Sequence, residues 1–351
     1  MERKRLLRMR SHFRALIVLT LVAGLLTLFL LNVDLWRVAG NILHARPLWL
    51  GFSLVTMFVN LAIRALRWRF LLEPLGEASF GNAFRATAVG FAASSVLPAR
   101  AGELIRPYFL ARHAHLSATG AFATVILERL LDTVTVLALL AVFVFGFGRE
   151  VGAGNPSVFT AVKWAGATAA CVSLAALAVL FILAGDPEHL GRTMGRLERV
   201  VPSAFAGMVA RIAEKFARGL GAIRRPGRLL VALAWSFPLW LSIDLGIWAV
   251  AVAFGFQVPF TGSFLIVPLL VLGVAVPTPG AIGGFHEAFR LGATVFYGVP
   301  NDAAVAAAIV LHALSIGPAL LLGLFFAAQV GLNLSSMRRI ADHAQQGPAN
   351  V

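Results

Sequence analysis

Two short segments of the sequence carry glycine, proline, glutamate and arginine in an order that suits the binding of an anionic group. In the first, Arg100, Gly102, Glu103 and Arg106 lie within residues 98–107. Guanidinium groups bind phosphate oxygens through paired hydrogen bonds, and the free N–H groups at the start of a helix favour an anion in the same place. We therefore predict that these four residues contact a phosphate-bearing substrate.

The second segment, residues 277–290, has a similar composition in the other half of the chain. Proline lacks the backbone N–H and disfavours a helical residue before it, while glycine lets the backbone approach a ligand without a Cβ. Both segments are thus expected to interrupt their helices, at Pro98 and Pro107 in the first and at two prolines in the second. The residues predicted to contact substrate in the second segment are Pro277, Pro279, Gly280, Gly283, Gly284, Glu287 and Arg290.

A simpler interpretation stays open for both segments. Each could be a loop at the membrane surface, in which Glu103 and Arg106 pair only to orient the chain. Two similar breaks at corresponding positions favour a binding site, because paired interruptions of apolar segments are typical of transporter sites.

Four charged residues lie inside long apolar stretches, where an intramembrane charge costs about 2.5–3.5 kcal/mol on insertion scales. Arg129 and Asp132, three residues apart on a helix, would neutralise each other and leave Glu128 available. Alternatively, these three charges form a structural cluster that holds the spans together. Asp244 has no basic residue near it in sequence, so it is a candidate proton or cation site, or the partner of another span.

Other polar residues near or within apolar helices receive structural interpretations. Arg64, Arg67 and Arg69, at the end of the second span, are expected to anchor that span to lipid headgroups. His312 is expected to hydrogen-bond between helices. Cys171 is the single cysteine, which excludes an internal disulfide and a multi-thiolate metal site.

Known enzyme motifs are incomplete. His286 and Glu287 begin an HExxH zinc pattern, but Arg290 stands where the second histidine would be. The sequence therefore predicts no catalytic residue, no metal site, no cofactor and no enzymatic activity. An enzyme that arranges Glu103, Glu128 and Glu287 around a lipid phosphate stays open as an alternative.

The composition assigns the chain to a membrane. Of 351 residues, 59% are hydrophobic and 13% are charged, about half the charge content of a soluble protein, and the mean hydropathy is +0.84. The net charge of +14 comes mainly from basic residues at 3–14, 64–112, 192–228 and 338–339, beside the apolar runs. The positive-inside rule makes that side cytoplasmic. We predict a multi-pass protein of the bacterial inner (cytoplasmic) membrane, with both termini cytoplasmic and no nucleic-acid partner.

The order of apolar segments occurs twice along the chain. The first set has spans at 15–33 and 47–66, a broken hairpin at 80–113 and a long span at 117–148; the second has spans at 158–184 and 229–254, a hairpin at 262–298 and a long span at 303–334. Three crossings and one re-entrant hairpin would turn the second unit upside down.

The predicted fold class is an all-α polytopic membrane protein with about six full transmembrane helices, two broken re-entrant hairpins and an inverted repeat. Residues 1–351 would form one membrane domain, with repeat halves at 15–148 and 158–334. The hairpins could instead be pairs of full-length spans. Residues 186–228 are predicted to be a basic, amphipathic cytoplasmic connector lying against anionic headgroups, or an ordinary solvated connector.

Three motifs resemble the lysylphosphatidylglycerol synthase transmembrane region, also described as the flippase-like domain family. They are residues 97–106, the run Glu128-Arg129-Leu-Leu-Asp132 and residues 277–287, and Ala281 departs from the glycine usual in the third. In larger members this region is fused to a soluble domain that attaches an amino acid to phosphatidylglycerol, and the membrane part is implicated in moving the product between leaflets. We expect no such soluble domain here, so the resemblance implies lipid translocation rather than synthesis.

The sequence thus favours a flippase-like transporter that moves an anionic phospholipid or polyprenyl-phosphate lipid between leaflets by alternating access. Its expected partners are membrane lipids with anionic headgroups and enzymes of lipid or cell-envelope synthesis. Two alternatives stay open: a membrane-embedded lipid-phosphate transferase or hydrolase, and a membrane scaffold that recruits such enzymes through residues 186–228.

Overall fold

The computed structural model describes residues 20–330 with gaps at 21, 28, 31–32, 98–99, 149–153, 155, 186–202, 222–223 and 277, and gives only the backbone of 203–209. Helices account for all the regular structure of these residues. They are α1 (Leu35–His44), α2 (Pro47–Leu72), α3 (Phe80–Val96), α4 (Gly102–Ala114), α5 (Ala118–Gly146), α6 (Pro156–Ala184), α7 (Ser203–Gly219), α8 (Pro226–Ala253), α9 (Ser263–Ala275), α10 (Gly284–Tyr297) and α11 (Asn301–Gln329).

Five helices, α2, α5, α6, α8 and α11, are long and apolar enough to cross a bilayer. Large apolar side chains such as Leu174 and Ile182 on α6 are exposed, as expected of a surface that meets lipid. The predicted all-α polytopic membrane fold is confirmed. About half of the predicted first span at 15–33 lies outside the described residues, and residues 20, 22–27 and 29–30 of the remainder are helical.

Both predicted hairpins consist of two short helices with a break between them. In the first hairpin α3 ends at Val96 and α4 begins at Gly102; in the second, α9 ends at Ala275 and α10 begins at Gly284. The predicted helix starts are therefore confirmed. Pro98 and Pro277 lie outside the described residues.

The prediction that Pro107 interrupts a helix is wrong. Pro107 lies within α4, which continues to Ala114. Its missing N–H would have bonded the carbonyl of Glu103, which is in the first turn of the same helix, so the proline removes one hydrogen bond near a helix end and leaves the rest of the ladder intact.

The element order long, short, short, long occurs twice, in α2–α5 and again in α8–α11. The packing follows the same pattern: α2 packs on α8, α3 packs on α11, and α9 packs on α5. The first helices of the two halves thus pack on each other, and the second helix of each half packs on the fourth helix of the other half. The inverted orientation of the halves and their boundaries stay predictions.

Each hairpin closes at a crossing of two glycines. A Cβ added to Gly102 would lie 1.8 Å from the carbonyl oxygen of Gly90, and one added to Gly284 would lie 2.2 Å from that of Gly273. These distances show that the two backbones of each hairpin nearly touch. Gly102 and Gly284 therefore serve helix packing, because the space that a Cβ would take is filled by a neighbouring helix rather than left open to a ligand.

The tips of the two hairpins meet. Between α9 and α10, residues Pro279–Ala281 form a 3₁₀ turn in which Gly280 and Ala281 both have positive φ angles, 62° and 56°. This turn packs against α3, where a Cβ on Gly280 would lie 3.6 Å from the carbonyl oxygen of Ser95. The two broken segments thus lie side by side in the fold.

The second part of the predicted connector is the helix α7, which packs on α5. A Cβ on Gly219 at the end of α7 would lie 2.3 Å from the carbonyl oxygen of Gly120, and Leu220 is fully buried. This segment is therefore anchored to the membrane helices. Its contact with lipid headgroups stays a prediction, and residues 186–202 lie outside the described part of the chain.

We expect Gly273→Ala to lower the thermal unfolding temperature of the detergent-solubilised protein by several degrees. The new methyl group would fall 2.3 Å from the carbonyl oxygen of Gly284, and such overpacking costs about 1–3 kcal/mol. Gly317→Ala, in the interior of α11 with no atom within 4 Å of its Cβ position, is the matched control. Equal unfolding temperatures for the two variants would contradict the crossing.

Candidate functional site

A cluster of five buried charged side chains lies between α2, α4 and α5. We call it the arginine cluster, and its members are Arg64, Arg67, Arg106, Glu128 and Asp132. All five are at least nine-tenths buried. Charges buried among apolar helices are costly unless they are paired and hydrogen-bonded, so their pairing decides what this site can do.

Arg67 lies at the centre of the arginine cluster and is completely buried. Its Nη1 donates to Asp132 Oδ1 at 2.7 Å and to Ser236 Oγ at 2.6 Å, and its Nη2 donates to Glu128 Oε1 at 3.3 Å. One guanidinium group thus connects α2 to both carboxylates of α5 and to α8.

Arg106 approaches Glu128 from the other side. Its Nη1 donates to Glu128 Oε2 at 2.8 Å, and its guanidinium carbon lies 3.7 Å from the centre of the Trp68 ring. The Trp68 indole N–H in turn donates to Thr124 Oγ1 at 2.9 Å. Stacking on an aromatic face holds the Arg106 fork in a fixed orientation.

Asp132 is the second shared acceptor. Besides Arg67, it accepts from Trp240 Nε1 at 3.1 Å and from Arg64 Nη1 at 3.4 Å, and Arg129 Nη1 lies 3.7 Å from its Oδ2. The predicted pair of Arg129 and Asp132 is present, but it is the longest of these contacts. Glu128, predicted to be available, is engaged by two arginines.

The arginine cluster has more positive charge than its own carboxylates neutralise. It holds three guanidinium groups and two carboxylates, and several of its guanidinium nitrogens make no hydrogen bond among the described residues: Arg64 Nε, Arg67 Nε, Arg106 Nε and Arg106 Nη2. A buried donor without an acceptor costs about 1–3 kcal/mol. A further anionic acceptor would relieve this cost, and phosphate oxygens match the geometry.

Three half-exposed residues form the rim of the arginine cluster. Glu103 lies 3.3 Å from Arg100 and 3.7 Å from Arg129, and the exposed fractions of the three side chains are 30%, 43% and 36%. The rim adds one more net positive charge. The rim contacts the arginine cluster through Arg129, whose Nη1 lies 3.7 Å from Asp132 Oδ2.

The second hairpin pairs its own charges. Arg290 donates through Nε to Glu287 Oε2 at 2.8 Å, through Nη2 to Glu287 Oε1, and through Nη1 to Asn301 Oδ1 at 2.8 Å. This bidentate pair ties α10 to the start of α11. No contact among the described residues joins it to the arginine cluster.

The tip of the second hairpin is held by histidine. His312 Nε2 lies 2.7 Å from the carbonyl oxygen of Gly280, which confirms the predicted interhelical hydrogen bond, and the His286 and His312 rings are 4.4 Å apart. Gly283, with φ of 87°, donates its N–H to His286 Nδ1. Pro279 begins the 3₁₀ turn between them.

The structure therefore divides the predicted site residues into groups. Those near Arg106 come together: Arg100, Glu103, Arg106, Glu128, Arg129 and Asp132. Those of the second hairpin form a separate group, Pro277 lies outside the described residues, and Gly102 and Gly284 lie at helix crossings. Asp244 stands apart, completely buried on α8.

The prediction that Arg64 and Arg67 anchor a span to headgroups is wrong. The span was placed at 47–66, but α2 continues to Leu72, so both arginines lie inside the helix and face the protein interior. A signal was present in the sequence: Arg64 and Arg67, three residues apart, share one helical face, and Glu128 and Asp132, four residues apart, share a face of another helix.

Metal chemistry finds no support in the described part of the chain. No group of three or more histidine, cysteine, aspartate or glutamate side chains lies there in a position to hold a metal ion. The arginine cluster instead combines three guanidinium groups with two carboxylates, and several of its guanidinium nitrogens have no acceptor among the described residues.

Comparison with known proteins corrects one prediction. A glycosyltransferase named AglD from Haloferax volcanii is 25% identical to this chain over 98% of the chain. The predicted absence of enzymatic activity is overturned by this similarity, because a relative named as an enzyme matches almost the whole chain. This chain spans 58% of the length of that relative.

Membrane proteins of archaea are also similar along this sequence. A UPF0104 membrane protein of Methanothermobacter thermautotrophicus is 24% identical over 88% of the chain and 92% of its own length. Residues 15–323 match the lysylphosphatidylglycerol synthase transmembrane region, the family that the three sequence motifs resemble. This multi-pass membrane protein belongs to the lysylphosphatidylglycerol synthase transmembrane region family.

Proposed function

We propose that this protein binds the phosphate of an anionic lipid at the arginine cluster and moves that lipid between the two leaflets of the inner (cytoplasmic) membrane. The observation that carries the proposal is the buried excess of positive charge, with guanidinium donors on Arg64, Arg67 and Arg106 that lack acceptors. Both termini would be cytoplasmic, as the distribution of basic residues favours.

The position of the arginine cluster favours a lipid over a soluble anion. Glu128 lies about 15 Å along α5 from its start, and Arg67 about 8 Å before the end of α2. Any phosphate must lose its water at that depth, but the acyl tails of a lipid keep its phosphate beside the membrane helices, whereas a soluble anion has no such anchor. The rim residues Arg100 and Arg129 would receive the headgroup first.

Movement between leaflets would use the two hairpins in turn. The first hairpin presents Arg106 to the headgroup; the second would present Arg290 after its pair with Glu287 opens. Arg129 and Asp132 would exchange partners in that transition, since the two contacts of Arg129, with Asp132 and with Glu103, are both long at 3.7 Å. The expected partners are anionic membrane lipids and enzymes of lipid or cell-envelope synthesis.

A second candidate function is a part in glycosyl transfer to or from a lipid phosphate. The specific observation is the similarity to the relative named as a glycosyltransferase over 98% of this chain. The same phosphate site would serve this reaction by holding the lipid acceptor or donor at the arginine cluster, near the half-exposed carboxylate of Glu103.

We expect Arg106→Lys to reduce leaflet exchange by tenfold or more. Lysine keeps the positive charge beside Glu128 but removes the planar fork whose Nε and Nη2 lack acceptors, and hydrogen bonds to charged groups contribute about 1.5–3 kcal/mol. The measurement is exchange of labelled phosphatidylglycerol and polyprenyl phosphate in liposomes that contain the purified protein.

Arg85→Lys is the matched control, because Arg85 is an exposed arginine of α3 that stacks on Phe326 outside the cluster. Lysine is preferred to alanine at position 106, since removing one partner of a buried ion pair is strongly destabilising. Normal exchange by well-folded Arg106→Lys would exclude a phosphate role for this side chain.

The glycosyl-transfer candidate predicts a chemically altered lipid. Incubation of the liposomes with polyprenyl phosphate and nucleotide sugars, followed by mass spectrometry of the lipids, should then show a glycosylated product that depends on the protein. Glu103→Gln should diminish this product, and Glu77→Gln, at an exposed glutamate outside the cluster, should not. If the lipids stay chemically unaltered with every nucleotide sugar, the glycosyl-transfer candidate is refuted and translocation is the remaining proposal for the phosphate site.

A further inference from the structure

One face of α8 carries polar side chains at regular intervals toward the protein interior. Ser236, Trp240 and Asp244 follow each other at four-residue spacing, which places them on the same side of a helix. Ser236 accepts from Arg67 and Trp240 donates to Asp132. The third member, Asp244, belongs to no ion pair of the arginine cluster.

Asp244 is completely buried, and neither of its carboxylate oxygens has a hydrogen-bond partner among the described residues. The polar side chain beside it is Ser263, whose hydroxyl donates to the carbonyl oxygen of Phe260 at 2.6 Å. A carboxylate in such surroundings would be an uncompensated charge in an apolar interior. We propose that Asp244 binds a proton, and that loading and release of this proton are coupled to movement of the lipid.

The elements packed around α8 bring no opposite charge to Asp244 in the described part of the chain. From α2, Ser53 and Thr56 contact the backbone of α8 at Gly246. From α9 the polar group is Ser263, and that helix has no charged residue.

The remaining neighbours of α8 use their charges elsewhere. On α5, Asp132 reaches α8 through Trp240 rather than through Asp244. On α11, Asp302 accepts from the Asp34 backbone and His312 bonds Gly280. Neither carboxylate oxygen of Asp244 has a hydrogen-bond partner on any of these elements among the described residues.

A proton fits these surroundings better than a metal cation. Hard cations need several oxygen ligands, whereas Asp244 belongs to no group of three or more histidine, cysteine, aspartate or glutamate side chains that could hold a metal ion among the described residues. A proton needs one oxygen and leaves a neutral acid that the apolar interior tolerates.

Coupling follows from the shared face of α8, and this part of the inference rests on the proposed function. Release of the proton requires Asp244 to reach water, because the charged form is costly where it now lies. A movement of α8 that exposes Asp244 also moves Ser236 and Trp240, which hold Arg67 and Asp132. Proton release and rearrangement of the phosphate site would thus influence each other equally.

The first test measures the proton itself. Infrared difference spectra of the full-length protein in liposomes, recorded across a pH titration, should contain the carbonyl band of a buried carboxylic acid that Asp244→Asn lacks and Glu77→Gln retains. Because asparagine has the shape of the neutral acid, Asp244→Asn should unfold at the same temperature as the wild type at neutral pH. A band unchanged by Asp244→Asn, or a large loss of stability, would overturn the proton site.

The second test measures coupling. Exchange of labelled phosphatidylglycerol should be accelerated severalfold by an imposed pH gradient in the wild type and in Glu77→Gln, while Asp244→Asn should keep its basal exchange and lose the acceleration. A response to a sodium gradient in place of the pH gradient would overturn the proton assignment. Lipid exchange that responds to neither gradient would overturn the coupling and leave the proton site in place. An infrared band without any exchange would refute the proposed translocation, and with it the coupling.

Discussion

The pairing of Arg67 with Glu128 and Asp132 is the interaction on which the rest of the site depends. It is completely buried and joins α2 to α5, with a further bond to Ser236 on α8. Removing one partner of such a pair leaves an uncompensated charge in a medium of low dielectric. Because Arg67 occupies one oxygen of each carboxylate, Arg64 and Arg106 share the remaining oxygens, and the three guanidinium groups carry one positive charge more than the two carboxylates neutralise.

The two halves share a scaffold but differ in chemistry. Each hairpin closes at a glycine crossing, Gly90 on Gly102 and Gly273 on Gly284, so the geometry of the breaks is repeated. The first hairpin then delivers an arginine with unused donors, whereas in the second Arg290 is fully engaged by its neighbours. The repeated fold therefore carries one charge site with unused donors and one whose charges are paired with each other.

The sequence predicted the elements better than their contacts. The order of the helices and the helix starts at Gly102 and Gly284 follow from local properties, such as apolar run length and glycine, and these were confirmed, whereas the end of α2 and the break at Pro107 were predicted wrongly. The partners of Arg64 and Arg67 lie more than sixty residues away on α5, and no local pattern specifies which arginine meets which carboxylate. The prediction for Pro107 was wrong because the energetic cost of a proline depends on its position in the helix, which the sequence alone does not specify.

Lipid translocation and glycosyl transfer place the same demand on the arginine cluster. In both, a lipid phosphate must be held at membrane depth by donors that are fixed before it arrives, and Trp68 fixes Arg106 in this way. The two proposed functions differ in whether a sugar donor approaches the phosphate from the aqueous side. Glu103 and Arg129 are half-exposed beside the cluster. AglD extends beyond the region shared with this chain, so its name alone does not decide between the two proposals, and a chemically altered lipid is the observation that separates them.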